Sequence, residues 1–381
     1  MSMTASIPTD TLAGAATAAD IAAGTGRALE RIRQDVRAMH AYVVQDAASG
    51  VLKLDAMENP HVLPADLQAE LGRRLGALAL NRYPANHGNA ELKRALAEHA
   101  RLPEGFELML GNGSDELISL VTMACDRPGA SVLAPVPGFV MYGVSAQLQG
   151  LAFTGVPLTA DFELDGPAML AAIARERPAI VHLAYPNNPT ANLWDDDVIE
   201  RIVEAQGAQG GLVVVDEAYQ PFASRSYIDR IARHGHVLLM RTLSKFGLAG
   251  VRLGYLIGPA ALVAEIDKVR PPYNISVLNC ECARFALEHA PVFEAQAADI
   301  RAQRERLVKA LDLLPGVRQW PSDANMILIR VPDATRTFEG MKARGVLIKN
   351  ISKMHPLLAN CLRLTVGTAD ENARMLAALE A

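Results

Sequence analysis

The chain has 381 residues, half of them hydrophobic and 21% charged, with a formal net charge of −5 at pH 7. That length exceeds what one small core supports and points to two domains, or to one large domain with a satellite. The acidic balance argues against a nucleic-acid or anionic-membrane surface. Its four cysteines, Cys125, Cys280, Cys282 and Cys361, form neither a CxxC pair nor a disulfide framework, which suits a reducing compartment.

The opening "MSMTASIPTDTLAGAATAADIAAGTG" lacks a basic start, and Asp10 and Asp20 interrupt its weakly apolar stretch. It reads as a loosely held arm over 1–27, with no targeting signal, in a cytoplasmic protein. From residue 65 to 285 short apolar runs alternate with helical patterns. The strand candidates are "FELMLGNG", "ASVLAPVPG", "LAFTGVPL", "AIVHLAYP", "GLVVVDEAY", "HVLLMRTLS" and "RLGYLIG". They are rich in Val, Ile and Leu without strict alternation, as expected of strands buried on both faces of a mainly parallel sheet. No charge occurs between Ala130 and Ala160, yet Pro135, Pro137 and Pro157 break that run, so it is not read as a membrane span. Helix signatures lie between the runs, among them "SDELISLVTMAC" and "WDDDVIERIVEAQ". Asp195–Asp197 open the second, where acidic groups complement the helix dipole.

After "VRPPYNIS" the texture changes to a long helical stretch over 277–313, then short strands in "VRQWPSDANMILIRV", "GVLIKN" and "CLRLTVG", and a terminal helix. The basic cluster "RAQRERLVK" at 301–309 has helical spacing and reads as a solvated helix face. The expected class is α/β: a large domain over 61–285, with 28–60 joining 286–381 in a smaller α+β domain.

In an open α/β sheet ligands sit beyond the carboxyl ends of the strands. Polar residues directly after the apolar runs are therefore the candidates for chemistry. Asp216 follows "GLVVV", with Tyr219 three residues on; Asn187 and Asn188 follow "AIVHLAYP"; Ser244 and Lys245 follow "HVLLMRT"; and "GNGSDEL" follows "FELML". Each has a plain alternative: a β-turn for "PNNPT", a strand-to-helix turn for "GNGSDE", a helix cap for Asp216. His234 and His236, without a nearby carboxylate or third His, read as a surface turn, and no metal site is expected.

Taken together, "YPNNPT", "VVVDEAY" and "TLSKFGLAGVRLGY" resemble, in order and spacing, the signatures of fold-type I pyridoxal-phosphate-dependent aminotransferases. "LDAMENP" (54–60), "NRYPANHG" (81–88) and "CLRLTVGT" (361–368) are similar to the histidinol-phosphate branch of that family, with the likeness running from residue 36 to the end. The resemblance implies a mainly parallel seven-stranded sheet and pyridoxal 5'-phosphate as cofactor. It makes Lys245 the Schiff-base lysine and proton carrier, Asp216 the partner of the ring nitrogen, and Tyr219 and Asn188 donors to the ring hydroxyl. Gly113, Ser114 and Asp115 would offer a helix N-terminus to the phosphate, joined by Ser244 and Arg252. Phe139 would stack on the ring. Tyr83 would reach the phosphate across a homodimer interface, and Tyr42, Asn59, Lys349 and Arg363 would line the substrate pocket.

The implied reaction exchanges an amino group between L-glutamate and L-histidinol phosphate in a ping-pong cycle, with no nucleic-acid or membrane partner. Another aminotransferase of the same fold, for aromatic or aspartate-like amino acids, stays open as an alternative. A phosphothreonine decarboxylase and a non-catalytic cofactor-binding module stay open too. Three departures stand out. Phe139 in "PGFVMY" replaces a tyrosine, Ala191 follows "NNPT" where glycine is usual, and Lys349 in "VLIKN" stands where an arginine is common. Lysine keeps the charge at that place but loses the bidentate fork.

Overall fold

The computed structural model describes residues 17–41, 50–84 and 86–380. Two compact units divide the chain, Met1–Asp46 and Ala47–Ala381. In the first, α1 (Ala18–Leu29) begins at Thr17, whose Oγ1 accepts from the Asp20 N–H at 3.2 Å. The Asp20 carboxylate accepts from the Thr17 N–H at 3.0 Å, completing a capping box, so the arm is helical over its described part. A short α2 (Gln34–Ala38) follows.

The second unit runs, in chain order, through β1 (Leu52–Lys53), α3 (Ala65–Gly76), α4 (Asn86–Ala100), β2 (Phe106–Gly111) and α5 (Gly113–Ala124). It continues with β3 (Ser131–Val136), α6 (Met141–Gln149), β4 (Ala152–Pro157), α7 (Gly166–Glu176), β5 (Ile180–Ala184) and α8 (Asp196–Ala208). Next come β6 (Leu212–Asp216), α9 (Ile228–Ile231), β7 (Val237–Thr242), β8 (Gly254–Pro259), α10 (Ala260–Asp267), α11 (Val277–Glu288) and α12 (Ala290–Leu311). The chain closes with β9 (Arg318–Gln319), β10 (Met326–Arg330), α13 (Ala334–Ala343), β11 (Val346–Leu347), β12 (Lys349–Asn350), β13 (Cys361–Thr365) and α14 (Ala369–Glu380).

Each of the apolar runs read as strands is a strand of one sheet with seven members, ordered β2-β8-β7-β6-β5-β3-β4. Only β8 runs against its neighbours, and the other six share a direction. β5 and β7 are buried along their whole length, which is why their sequences show no alternation. Successive side chains still point to opposite faces. Val213 and Val215 join Ile173, Ile199 and Ile202 of α7 and α8, whereas Val214 joins Leu117 and Val121 of α5 and Ala146 of α6.

A second sheet, ordered β12-β13-β10-β9, is antiparallel throughout, and β1 pairs in parallel with β11. Residues just after β1 are tied to this region. The Met57 N–H donates to Thr365 Oγ1 at 3.2 Å, and Asn325 Nδ2 donates to the Met57 carbonyl at 2.9 Å.

Two surface readings are corrected. The 301–309 cluster is a solvated face only in part: Glu305, Arg306 and Lys309 are exposed, but Ile300, Arg304, Leu307 and Leu311 lie on the buried side of α12. Arg304 Nη1 donates to the carbonyls of Phe222 and Ala324, and Arg301 Nη1 to that of Pro221. Three carbonyls left by turns thus hold guanidinium groups that the sequence presents as surface charge. His234 does have a carboxylate beside it, with Nε2 2.9 Å from Glu200 Oε2, while His236 Nε2 lies 2.9 Å from the Val203 carbonyl. Among the described residues no group of three His, Cys, Asp or Glu could hold a metal ion.

Glu217, next to the end of β6, is wholly buried and locks β6 to β7. Its Oε2 accepts from Arg241 Nε at 2.9 Å and its Oε1 from the Ser226 hydroxyl at 2.9 Å. Removing one member of a buried pair strands the other charge. Glu217→Ala is therefore expected to destabilise the protein by about 3–5 kcal/mol, read from urea unfolding midpoints.

Candidate active site

β5, β6 and β7 run parallel side by side, so the residues after them emerge at one edge of the sheet. There they line a cleft containing Asn188, Asp216, Tyr219, Ser244 and Lys245, with Ser114 and Asp115 from α5, and Phe139, Arg252 and Met57.

Asp216, the last residue of β6, is only 4% exposed. Its Oδ2 accepts from the Tyr142 hydroxyl at 2.8 Å and its Oδ1 from the Ala218 N–H at 3.0 Å. Burial pushes its pKa up to about 6; the bonds from Tyr142 and Ala218 oppose the rise, and the nearby charges of Asp115 and Glu217 add to it. Lys245 responds to the same dry cleft in the opposite sense. Loss of hydration lowers its pKa to about 8, with the Arg363 charge adding to the fall. Its Nζ donates to the Ala56 carbonyl at 3.0 Å and lies 6.0 Å from the centre of the Tyr219 ring.

Lys245 sits in a wide helical turn, Ser244–Leu248, that only Gly247 can complete. Gly247 has φ +134°, and a Cβ there would lie 2.9 Å from the Phe293 ring. Tyr219, whose pKa burial raises, accepts from Asn188 Nδ2 at 3.0 Å, and Asn188 Oδ1 accepts from Arg363 Nη1 at 2.7 Å. Arg363 Nη2 donates to the Asp55 carbonyl at 2.8 Å. This chain of bonds joins β13 to the loop after β5.

The far end of the cleft holds Arg252 beside the start of α5. Arg252 Nη1 donates to Ser244 Oγ at 3.2 Å, and Nη2 lies 3.4 Å from Asp115 Oδ2. α5 begins at Gly113, one residue ahead of the Ser-led start read from the sequence, and no side chain caps it. Its first N–H groups are available to an anion. Gly113 has φ +78°, a left-handed backbone angle that favours glycine, and Arg252 Nη2 lies close beside it.

Other expected residues lie elsewhere. Tyr83 is 77% exposed and stacks on Tyr273 with ring centres 4.5 Å apart. Asn59 donates from Nδ2 to Gln296 Oε1 at 3.1 Å, behind the Lys245 turn and outside the cleft lining. Lys349 is half-buried on β12, directly opposite Arg363 of β13. Tyr42 falls outside the described residues. The functional neighbour that sequence reasoning missed is Tyr142, three residues after Phe139 in "PGFVMY". Its distance from Phe139 was visible in the sequence, but its partner Asp216 was not.

A half-buried lysine and a buried carboxylate facing one cleft, at the carboxyl ends of this sheet, define an enzyme of the fold-type I class. The chain belongs to the aminotransferase class I and II family, whose pattern matches residues 46–379. It is 75% identical over 349 residues to a protein named histidinol-phosphate aminotransferase from Polaromonas naphthalenivorans strain CJ2, covering 92% of this chain and 95% of the relative. A protein of the same name from Methylibium petroleiphilum is 72% identical over 349 residues, 92% of this chain and 94% of the relative. Among solved structures, the histidinol-phosphate aminotransferase of Sinorhizobium meliloti in complex with pyridoxal-5'-phosphate superposes with a TM-score of 0.79 at 23% identity. That match covers 92% of this chain and 97% of the other.

The lowered pKa gives a direct test without any ligand. Below pH 8 the Lys245 amine is protonated and inert; above it the amine is free and nucleophilic. Acylation of Lys245, followed by peptide mass spectrometry across pH, is expected to rise with a midpoint near 8. Exposed lysines should rise near 10.4.

Proposed function

We propose that this enzyme exchanges an amino group between L-glutamate and L-histidinol phosphate, a step of histidine biosynthesis, with pyridoxal 5'-phosphate held at Lys245. The observation that carries the reading is that Lys245 and Asp216 line one cleft, with Arg252, Ser244 and the start of α5 at its far end. The donor set fits the cofactor. Asp216 is a buried carboxylate whose donors among the described residues are the neutral Tyr142 hydroxyl and Ala218 amide, which suits a protonated ring nitrogen. Gly113, Ser244 and Arg252 form a cradle that suits a phosphate.

When bound, the cofactor supplies an aldehyde for amines and a ring that accepts charge from a deprotonated substrate carbon. Lys245 would hold the cofactor through that aldehyde and, once an incoming amine has displaced it, its freed amine would move the proton at the substrate α-carbon. Asp216 would hold a proton on the ring nitrogen, Tyr219 and Asn188 would hold the ring hydroxyl, and Phe139 would pack against the ring. In the exchange glutamate would leave its amino group behind and depart, with uptake of water, as 2-oxoglutarate; the phosphorylated ketone would then receive that amino group and release the water. Arg363 receives the anionic end of each substrate in turn. Lys349, opposite it, adds positive charge on the side of the substrate phosphate.

Two further parts of the reading concern setting. Free thiols at Cys125, Cys280, Cys282 and Cys361 suit the cytoplasm. The exposed Tyr83–Tyr273 stack suits coverage by a second copy of the chain, with Tyr83 contributed across the interface.

Adding pyridoxal 5'-phosphate to the purified chain is expected to give visible absorbance that Lys245→Ala lacks, together with a loss of amino transfer of ~10²–10⁴-fold or more. Equal turnover with phenylalanine, or release of carbon dioxide, would replace the substrate assignment while leaving the cofactor in place. Sedimentation should return a dimer, and Tyr83→Phe should stay dimeric while binding the cofactor ~10-fold more weakly.

A further inference from the structure

Both oxygens of Asp216 are held, Oδ2 by Tyr142 and Oδ1 by the Ala218 amide, so the plane of the carboxylate is set. Tyr142 is itself held by two rings. The His182 imidazole stacks on it with centres 4.4 Å apart at 4°, and Phe139 meets it edge-on at 5.7 Å. His182 lies mid-strand in β5, fully buried, and neither ring nitrogen has a partner among the described residues. Burial drives its pKa down to about 3, so the ring is neutral at working pH. An unpartnered buried polar group lowers stability, and an aliphatic residue there would avoid that loss. What the imidazole contributes, and an aliphatic residue would not, is a flat surface under Tyr142.

We propose that Tyr142, stacked on His182, is a positioning residue that keeps Asp216 charged and aimed at the ring nitrogen of the cofactor, a proposal that rests on the cofactor assignment above. The groups around Asp216 make such a donor necessary. Asp115 of α5 and Glu217 of the same strand end both disfavour its charge, and burial opposes it most. Lys245 and Arg252 share the cleft, and among the described residues no salt bridge joins either to Asp216. Tyr142 stays protonated because burial, and then Asp216, push its own pKa well above the ordinary tyrosine range. It is therefore a permanent donor to the carboxylate, and a donor to the charged form favours that form.

Tyr142→Phe keeps the ring and its stack and removes only the hydroxyl. The test titrates the ligand-free protein, followed by absorbance and protein fluorescence, with two probes. One is pyridoxal 5'-phosphate; the other is its analogue in which carbon replaces the ring nitrogen. The variant is expected to bind pyridoxal 5'-phosphate ~10-fold or more weakly than the parent, the effect of a hydrogen bond to a charged group. Its affinity for the analogue, which offers Asp216 no proton, should equal or exceed that of the parent. Unchanged affinity for pyridoxal 5'-phosphate would overturn the proposal. An equal loss with both probes would do the same, because it would mark a merely structural role. His182→Leu should reproduce part of the loss with the first probe and none with the second; no loss would remove His182 from the arrangement. A parent protein that binds neither probe would sink the cofactor assignment itself, a result read without any variant.

Discussion

A carboxylate taken out of water must find donors or give up its charge. Asp216 faces that constraint at the end of the central strand β6, and much of the site is arranged around it. β5 brings His182 alongside, the start of α6 brings Tyr142 onto Oδ2, and the chain beyond β6 turns its own Ala218 amide onto Oδ1. Lys245 meets the same dryness with the opposite sign, since burial penalises its cation as it penalises the anion. An acid raised to about 6 and a base lowered to about 8 are two effects of the same burial.

The walls of the cleft come from parts far apart in sequence. Arg363 of β13 reaches Asn188, and Asn188 reaches Tyr219, so one line of hydrogen bonds couples the antiparallel sheet to the large one. Behind Tyr219, the turn at 220–222 leaves carbonyls that Arg301 and Arg304 of α12 take up. Behind Lys245, Gly247 lets the turn lie against Phe293 of the same helix. One long helix therefore supports both residues from the rear. The Glu217–Arg241 pair ties the two strands from which they emerge.

Much of this was legible in the chain. The strands of the large sheet could be read because a strand buried on both faces has to be apolar along its length, as β5 and β7 are. Lys245, Asp216, Asn188, Tyr219 and Ser244 could be found because each directly follows such a run, and parallel strands bring their ends to one edge.

What resisted sequence reading is of another kind. Tyr142 stands in a stretch where nothing local marks it, and its partner lies 74 residues on. Arg301 and Arg304 have the charge and spacing of a solvated face, and only the packing of α12 supplies the carbonyls that draw them inward. His234 looked alone because Glu200 is 34 residues away. Period and turn chemistry are properties of neighbouring residues, so the chain by itself determined its elements, their order and the side chains at the strand ends. Hydration, charge pairing and ring stacking depend on what is brought near through space. Only the tertiary structure therefore decided which of those side chains are dry, which are held, and that a tyrosine on a buried histidine supports the aspartate.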